Sequence, residues 1–170
     1  MSESRLKQVP IGGIEVASKI GVLSTLLGSC VGMIVQDMRR HIAVLAHVVR
    51  PHGVGAGMGP GYFANLAAPR ARDLAIQAGA GPRDLVVRIA GGASMFESSD
   101  SIGLRNAEAI KEATYELGMT YGGRIKGPEV GGCLLAVDAA TGRAVVKGIQ
   151  SGVVDEDAWH RMCADLGPRQ

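Results

Sequence analysis

A chain of 170 residues has the length of one ordinary domain, and its 46% hydrophobic content with only 4% aromatics calls for a core of Val, Ile, Leu, Ala and Met. A net charge of +2, with basic residues scattered apart from Arg39-Arg40 and the Arg70/Arg72 pair, argues against a nucleic-acid face or a polybasic membrane patch. Cys30, Cys133 and Cys163 are odd in number and lack CxxC spacing, which suits free thiols in a reducing compartment better than a disulfide framework or a zinc site.

Residues 1–7 are polar and charged with no apolar run behind them, so a signal peptide is not expected. The apolar stretch 42–49 is too short to span a bilayer. The expectation is a cytoplasmic protein with no direct membrane insertion. Residues 20–27 read as a strand ending at Gly28-Ser29, and 30–36 and 41–49 as two more strands around the polar segment 37–40. A glycine-rich loop follows at 53–61, and then a helix-compatible stretch over 62–78 that Pro69 should kink or divide. Residues 84–90 form a buried-type strand closed by Gly91-Gly92. Ala107, Ile110, Ala113, Thr114 and Leu117 fall at helical spacing over 104–117, with Gly118 at the stop. Strands are expected at 119–125, 129–137 and 144–149, with a turn at 138–143 and a short terminal helix over 155–166. The whole reads as one α+β domain, 1–170, rich in hairpins.

If 30–36 and 41–49 form an antiparallel hairpin over a four-residue connection at 37–40, residue 36 pairs with 41 and Cys30 falls opposite His47. Opposed residues share a sheet face, with Cβ atoms about 4.5–5.5 Å apart. That juxtaposes a thiol with an imidazole, the arrangement a cysteine nucleophile requires of its base. Cys30 also follows Gly28-Ser29 at the open end of the hairpin, where backbone N–H groups can serve as an oxyanion hole. An adjacent imidazolium lowers a thiol pKa from its free value of about 8.5. Against this stands the commoner fate of a lone Cys or His on an apolar strand, which is to be a core side chain. Cys133, within GGCLLAVD, reads as core, and Cys163 has only His160 nearby; His41 and His52 sit in turn or loop settings where solvation is the natural reading.

The runs LSTLLGSCVGMIVQD (23–37) and LAHVVRP (45–51), followed by RIAGGASMF (88–96), IGLRNAEAI (102–110) and ATGRAVVKGI (140–149), resemble in order and spacing the CheD family of chemoreceptor glutamine deamidases. The resemblance covers about residues 20–149 and leaves 150–170 as a C-terminal tail. It implies a Cys/His site on Cys30 and His47, with a hydroxyl third member that orients the imidazole. That member falls on Ser24, where the family is expected to have threonine, with Thr25 one residue away as the alternative. The resemblance further implies a single layered domain, β-sandwich-like with mixed sheets flanked by helices and similar to the deamidase domains of certain bacterial toxins. The implied chemistry is hydrolysis of glutamine side chains to glutamate through a cysteine thioester, without metal or cofactor, and the same acyl chemistry would permit hydrolysis of receptor methyl esters. Implied partners are the cytoplasmic domains of methyl-accepting chemoreceptors and a CheC-type phosphatase, and no nucleic acid. The competing class is a non-catalytic adaptor that binds a phosphatase or receptor.

A nucleotide site is the remaining reading of the glycine loop. GPGYFA (59–64) fits GxGxxA formally, but Pro60 removes an amide that would hold phosphate, and no GxxxxGK[ST] exists anywhere in the chain.

Overall fold

A computed structural model describes residues 6–55, 57–92, 101–127 and 131–149. Nine strands and two helices are found there, in the order β1 (Leu6–Gln8), β2 (Ile14–Ser18), β3 (Val22–Leu27), β4 (Val31–Asp37), β5 (Ile42–Val48), α1 (Ala64–Gln77), β6 (Val86–Gly91), α2 (Ile102–Glu116), β7 (Thr120–Arg124), β8 (Gly132–Asp138) and β9 (Ala144–Ile149). They form a four-stranded sheet, β1-β3-β8-β9, and a five-stranded sheet, β2-β5-β4-β6-β7. Each sheet is mixed, with one parallel pair at its edge (β1 with β3, β6 with β7) and antiparallel pairing elsewhere. The expected α+β class with mixed sheets and helices is thus what is found. The expected helix over 155–166, Cys163 and His160 lie outside the described residues.

Two apolar layers hold these parts together. Between the sheets, Leu23 and Leu27 of β3 and Leu135 and Val137 of β8 meet Ile34, Ala43 and Leu45 of β4 and β5. On the other face of the five-stranded sheet, Met33, Val35, Val44, Ala46 and Val48 meet Ala67, Ala68, Ala71 and Ala75 of α1 and Ile110 and Ala113 of α2. Strands β4 and β5 are therefore covered on both faces, which is why their sequence is a near-continuous apolar run where a half-exposed strand would alternate.

Of the two expected effects of Pro69 on α1, division does not occur, because Pro69 lies inside a continuous helix. One backbone hydrogen bond is lost there, but the stripe of buried alanines keeps the helix on the sheet, and packing outweighs the local defect. α2 begins two residues earlier than its apolar spacing suggests, because Ser101 caps it by accepting from Leu104 N at 3.2 Å. The edge strands β1 and β2 were not legible in the sequence; β1 is three residues long and mostly polar.

The register of the β4–β5 hairpin corrects the sequence arithmetic. Asp37 pairs with Ile42 and Gly32 with His47, so Cys30 is not opposite His47; it lies one residue before β4 begins. The connection still has four residues, but they are 38–41. Asp37 stays in the strand because its buried carboxylate accepts from Arg40 N (3.2 Å), Arg40 Nη1 (2.7 Å) and Gly81 N (2.9 Å). His41 closes the turn in the left-handed region, at φ 58°. Moving the turn by one residue shifts every opposed pair by two, and an even shift leaves each side chain on its face.

Candidate active site

β5 places His47 on the face that carries Ala43 and Leu45, turned toward the four-stranded sheet. Only 2% of the residue is exposed. Its backbone is held on the β2 side by Gly12 N donating to His47 O at 3.1 Å and His47 N donating to Gly13 O at 3.0 Å. Opposite it stands Gly32, and a Cβ there would come within 2.6 Å of Leu135 Cδ2, so a side chain at 32 would force Leu135 to shift in the layer beside the imidazole.

Across the sandwich, β3 sends Leu23, Thr25 and Leu27 toward the five-stranded sheet by simple alternation. Thr25 Oγ1 lies 2.8 Å from His47 Nδ1 and donates to Val9 O, also at 2.8 Å. Ser24, by the same alternation, points to the opposite face, where its nearest partner is Lys7 O at 3.5 Å. The structure therefore brings Thr25, and not the expected Ser24, to the imidazole.

The pairing fixes a proton. A hydroxyl has one hydrogen, and the Val9 carbonyl can only accept, so Thr25 must donate to Val9 and accept from His47. Nδ1 then carries the imidazole proton, and Nε2 is left with its lone pair.

Cys30 is half-buried at the end of the sandwich and packs against the layer between the sheets, the side on which His47 lies. It is held from behind by Gly92 N, which donates to Cys30 O at 2.9 Å. Gly91 has φ 91° and passes so close that a Cβ there would be 2.7 Å from the same oxygen, which explains the glycine pair that closes β6. Among the described residues no hydrogen bond joins Cys30 Sγ to the imidazole.

Burial raises the Cys30 thiol pKa above its ordinary value and lowers that of His47 below the usual imidazole range. Both shifts favour the neutral forms, thiol and imidazole, where the sequence suggested a thiolate stabilised by imidazolium.

Two contributors gave no signal in the sequence. Val9 supplies the carbonyl that orients Thr25, from a turn that no local pattern marks. Asn106 of α2, fully buried, donates through Nδ2 to Val49 O at 3.0 Å, two residues beyond His47. Its Oδ1 is buried and has no hydrogen-bond partner among the described residues. Cys133 is buried in the layer between the sheets, as expected, whereas His41 and His52 are exposed. Gly59 and Gly61 of the glycine loop lie against the backbone of Gly12 and Gly13, which accounts for them without a phosphate. Among the described residues no group of three or more His, Cys, Asp or Glu side chains is arranged to hold a metal ion, and no helix is long and apolar enough to cross a membrane.

Residues 51–148 match the family described as CheD chemotactic sensory transduction. Pairwise similarity reaches further toward the N-terminus. A probable chemoreceptor glutamine deamidase CheD of Methanococcus maripaludis (strain C6) is 32% identical over 151 residues, 86% of this chain and 91% of that protein. A probable chemoreceptor glutamine deamidase CheD of Clostridium botulinum (strain Alaska E43) is 33% identical over 159 residues, 87% of this chain and 96% of that protein. The chemoreceptor glutamine deamidase CheD of Thermotoga maritima is 38% identical over 115 residues, 66% of this chain and 73% of that protein. With a family match over more than half of its length and relatives of this identity along most of it, the chain belongs to the CheD family.

Proposed function

We propose that this protein hydrolyses the side-chain amide of glutamine residues in chemoreceptors, with Cys30 as nucleophile, His47 as acid and base, and Thr25 as the group that orients His47. The observation that carries the reading is the one-directional hydrogen bond from His47 Nδ1 to Thr25 Oγ1, which leaves Nε2 unprotonated on the face shared with Cys30. The relatives named above are called chemoreceptor glutamine deamidases, which supplies the substrate class.

The steps follow from those protonation states. Cys30 Sγ attacks the amide carbon of the glutamine side chain while its proton passes to His47 Nε2. The oxyanion that forms is met by backbone N–H groups at 28–30; neither Ser29 N nor Cys30 N donates to another backbone group among the described residues. The imidazolium returns the proton to the departing nitrogen, ammonia leaves, and a thioester remains on Cys30. His47 then takes a proton from water as its oxygen attacks, and collapse of the second tetrahedral species gives the glutamate side chain and the free thiol. Burial of the pair favours this neutral-to-neutral cycle over a standing ion pair.

Action in the cytoplasm, a CheC-type phosphatase partner and a likeness to toxin deamidase domains belong to the same proposal. The resemblance read from the sequence motifs implies the first two, and the layered sheet-on-sheet arrangement supports the third. The test is incubation with a chemoreceptor cytoplasmic segment and mass-spectrometric mapping of glutamine-to-glutamate conversion. Conversion by the wild type and none by Cys30→Ala is the expected result. Conversion by Cys30→Ala at the wild-type rate overturns the reading.

A further inference from the structure

The turn 10–13 and the loop 53–62 meet beside His47 through backbone contacts. Gly12 N donates to His47 O, Gly61 N donates to Gly12 O at 2.8 Å, and Val49 N and Arg50 N both donate to Tyr62 O, at 2.9 and 3.0 Å. A Cβ at Gly12 would lie 2.5 Å from Met58 O, and one at Gly59 would lie 2.4 Å from Gly12 O, so the two segments are in backbone contact at that point. On this pair of segments stand three large apolar side chains that the fold leaves in solvent: Ile11, 69% exposed, Met58, 58%, and Val54, 92%. Residues 8–14 (QVPIGGI) and 53–61 (GVGAGMGPG) contain no charged residue. Other exposed apolar side chains are placed elsewhere; Met38, for example, is in the hairpin turn at the far ends of β4 and β5. Single exposed apolar residues are ordinary, but three on two adjoining uncharged segments, one of them bonded to the backbone of His47 and the other to that first segment, are a different matter.

We infer that Ile11, Met58 and Val54 form an apolar rim that docks the substrate polypeptide through apolar side chains flanking the target glutamine. This deepens the proposed function and rests on it. A glutamine side chain is only a few atoms long, so if its amide reaches Cys30 the main chain that bears it must come to the mouth of the site. There it meets two segments that carry no charge of their own and apolar groups already exposed. Flanks carrying apolar residues gain by covering those segments, whereas charged flanks lose hydration and find no partner on them. Docking of this kind selects the protein segment and leaves the chemistry of the amide to Cys30 and His47.

The test compares wild type with the Ile11→Ser/Met58→Ser double variant on a chemoreceptor cytoplasmic segment and on the same segment with its glutamine-flanking apolar residues changed to Ser. The expected result is a rise in KM of about tenfold or more for the double variant, with kcat held within about twofold. The altered segment should lose a similar factor with wild type and little further with the variant, since enzyme and substrate changes remove the same contact. The rate of Cys30 alkylation by iodoacetamide, which is too small to use the rim, should be unchanged. An unchanged KM overturns the inference, as does additive loss in the crossed pair. A fall in alkylation that matches the loss of turnover also overturns it, because the side chains would then act on the site and not on the substrate. If instead wild type fails to deamidate the segment, or Cys30→Ala succeeds, the proposed function has failed and not the rim.

Discussion

Thr25 Oγ1 and His47 Nδ1 are 2.8 Å apart, and because the same hydroxyl gives its only proton to Val9 O, the bond between them can run in one direction alone. The tautomer of the candidate base is thereby set by a carbonyl on a third segment of the chain.

Removing that control is the first test. Thr25→Val keeps the shape but leaves Nδ1–H without its acceptor in a buried setting, and lets the imidazole adopt either tautomer. A fall in kcat/KM of about 10- to 100-fold is expected, in line with a loss of roughly 1.5–3 kcal/mol for a buried polar group left without its partner. Thr25→Ser should retain most activity, and Ser24→Ala should change it by less than about twofold, since Ser24 faces away. Steady-state kinetics of the three variants decides the matter; a larger loss for Ser24→Ala than for Thr25→Val would overturn the assignment.

Burial holds His47 below the usual imidazole range, so the free base persists to lower pH than it would on an exposed histidine. The acid limb of kcat/KM should therefore fall below the usual imidazole pKa, and the alkaline limb should lie above the usual thiol value, because burial raises Cys30. Stability follows the same sign. The unfolded chain binds a proton at His47 before the folded one does, so stability contributed by the neutral buried imidazole is present above the unfolded pKa and is lost as pH falls through the window down to the folded one. A pH–rate profile, with denaturant titrations over the same range, measures both; an acid limb above the usual imidazole range would contradict the burial argument.

Cys133 provides the contrast to Cys30. It is buried between the sheets, 3% exposed, opposite Leu27. Cys133→Ser should leave kcat near the wild-type value while lowering stability by about 1–3 kcal/mol, the cost of burying a hydroxyl with imperfect partners. Cys30→Ser should show the reverse, with turnover abolished and the midpoint of unfolding little changed. Urea denaturation beside an activity assay separates the two outcomes.

Gly28 and Gly32 differ in the same informative way. A Cβ added at Gly28 meets nothing within 4 Å among the described residues, whereas one at Gly32 runs into Leu135. Gly28→Ala should fold normally, so any loss of deamidation would report a substrate that passes over the bend before Cys30. Gly32→Ala should destabilise by roughly 1–3 kcal/mol through overpacking and disturb His47 with it. Thermal unfolding and turnover of both variants test the pair; an unfolded Gly28→Ala protein would refute the open-space reading.

What the sequence determined by itself was the set of segments and the faces of the hairpin. Apolar runs at β3, β4 and β5, the helical spacing of α2 and the glycine pair after β6 are local patterns, legible because burial imposes a period on side chains. Parity placed Cys30 and His47 on one face even though the turn was misplaced by one residue, because the resulting shift of two leaves the faces unchanged. The tertiary structure alone decided which hydroxyl meets His47. Ser24 and Thr25 are adjacent and chemically alike, and which of them meets His47 depends on the face β3 turns toward the other sheet, a long-range packing choice. It also decided the direction in which the two pKa values move, since desolvation arises only when two sheets close over both groups. Val9 and Asn106 were out of reach for the same reason: each acts on the neighbourhood of His47 from a segment distant in sequence, and no local period records a contact made across the fold.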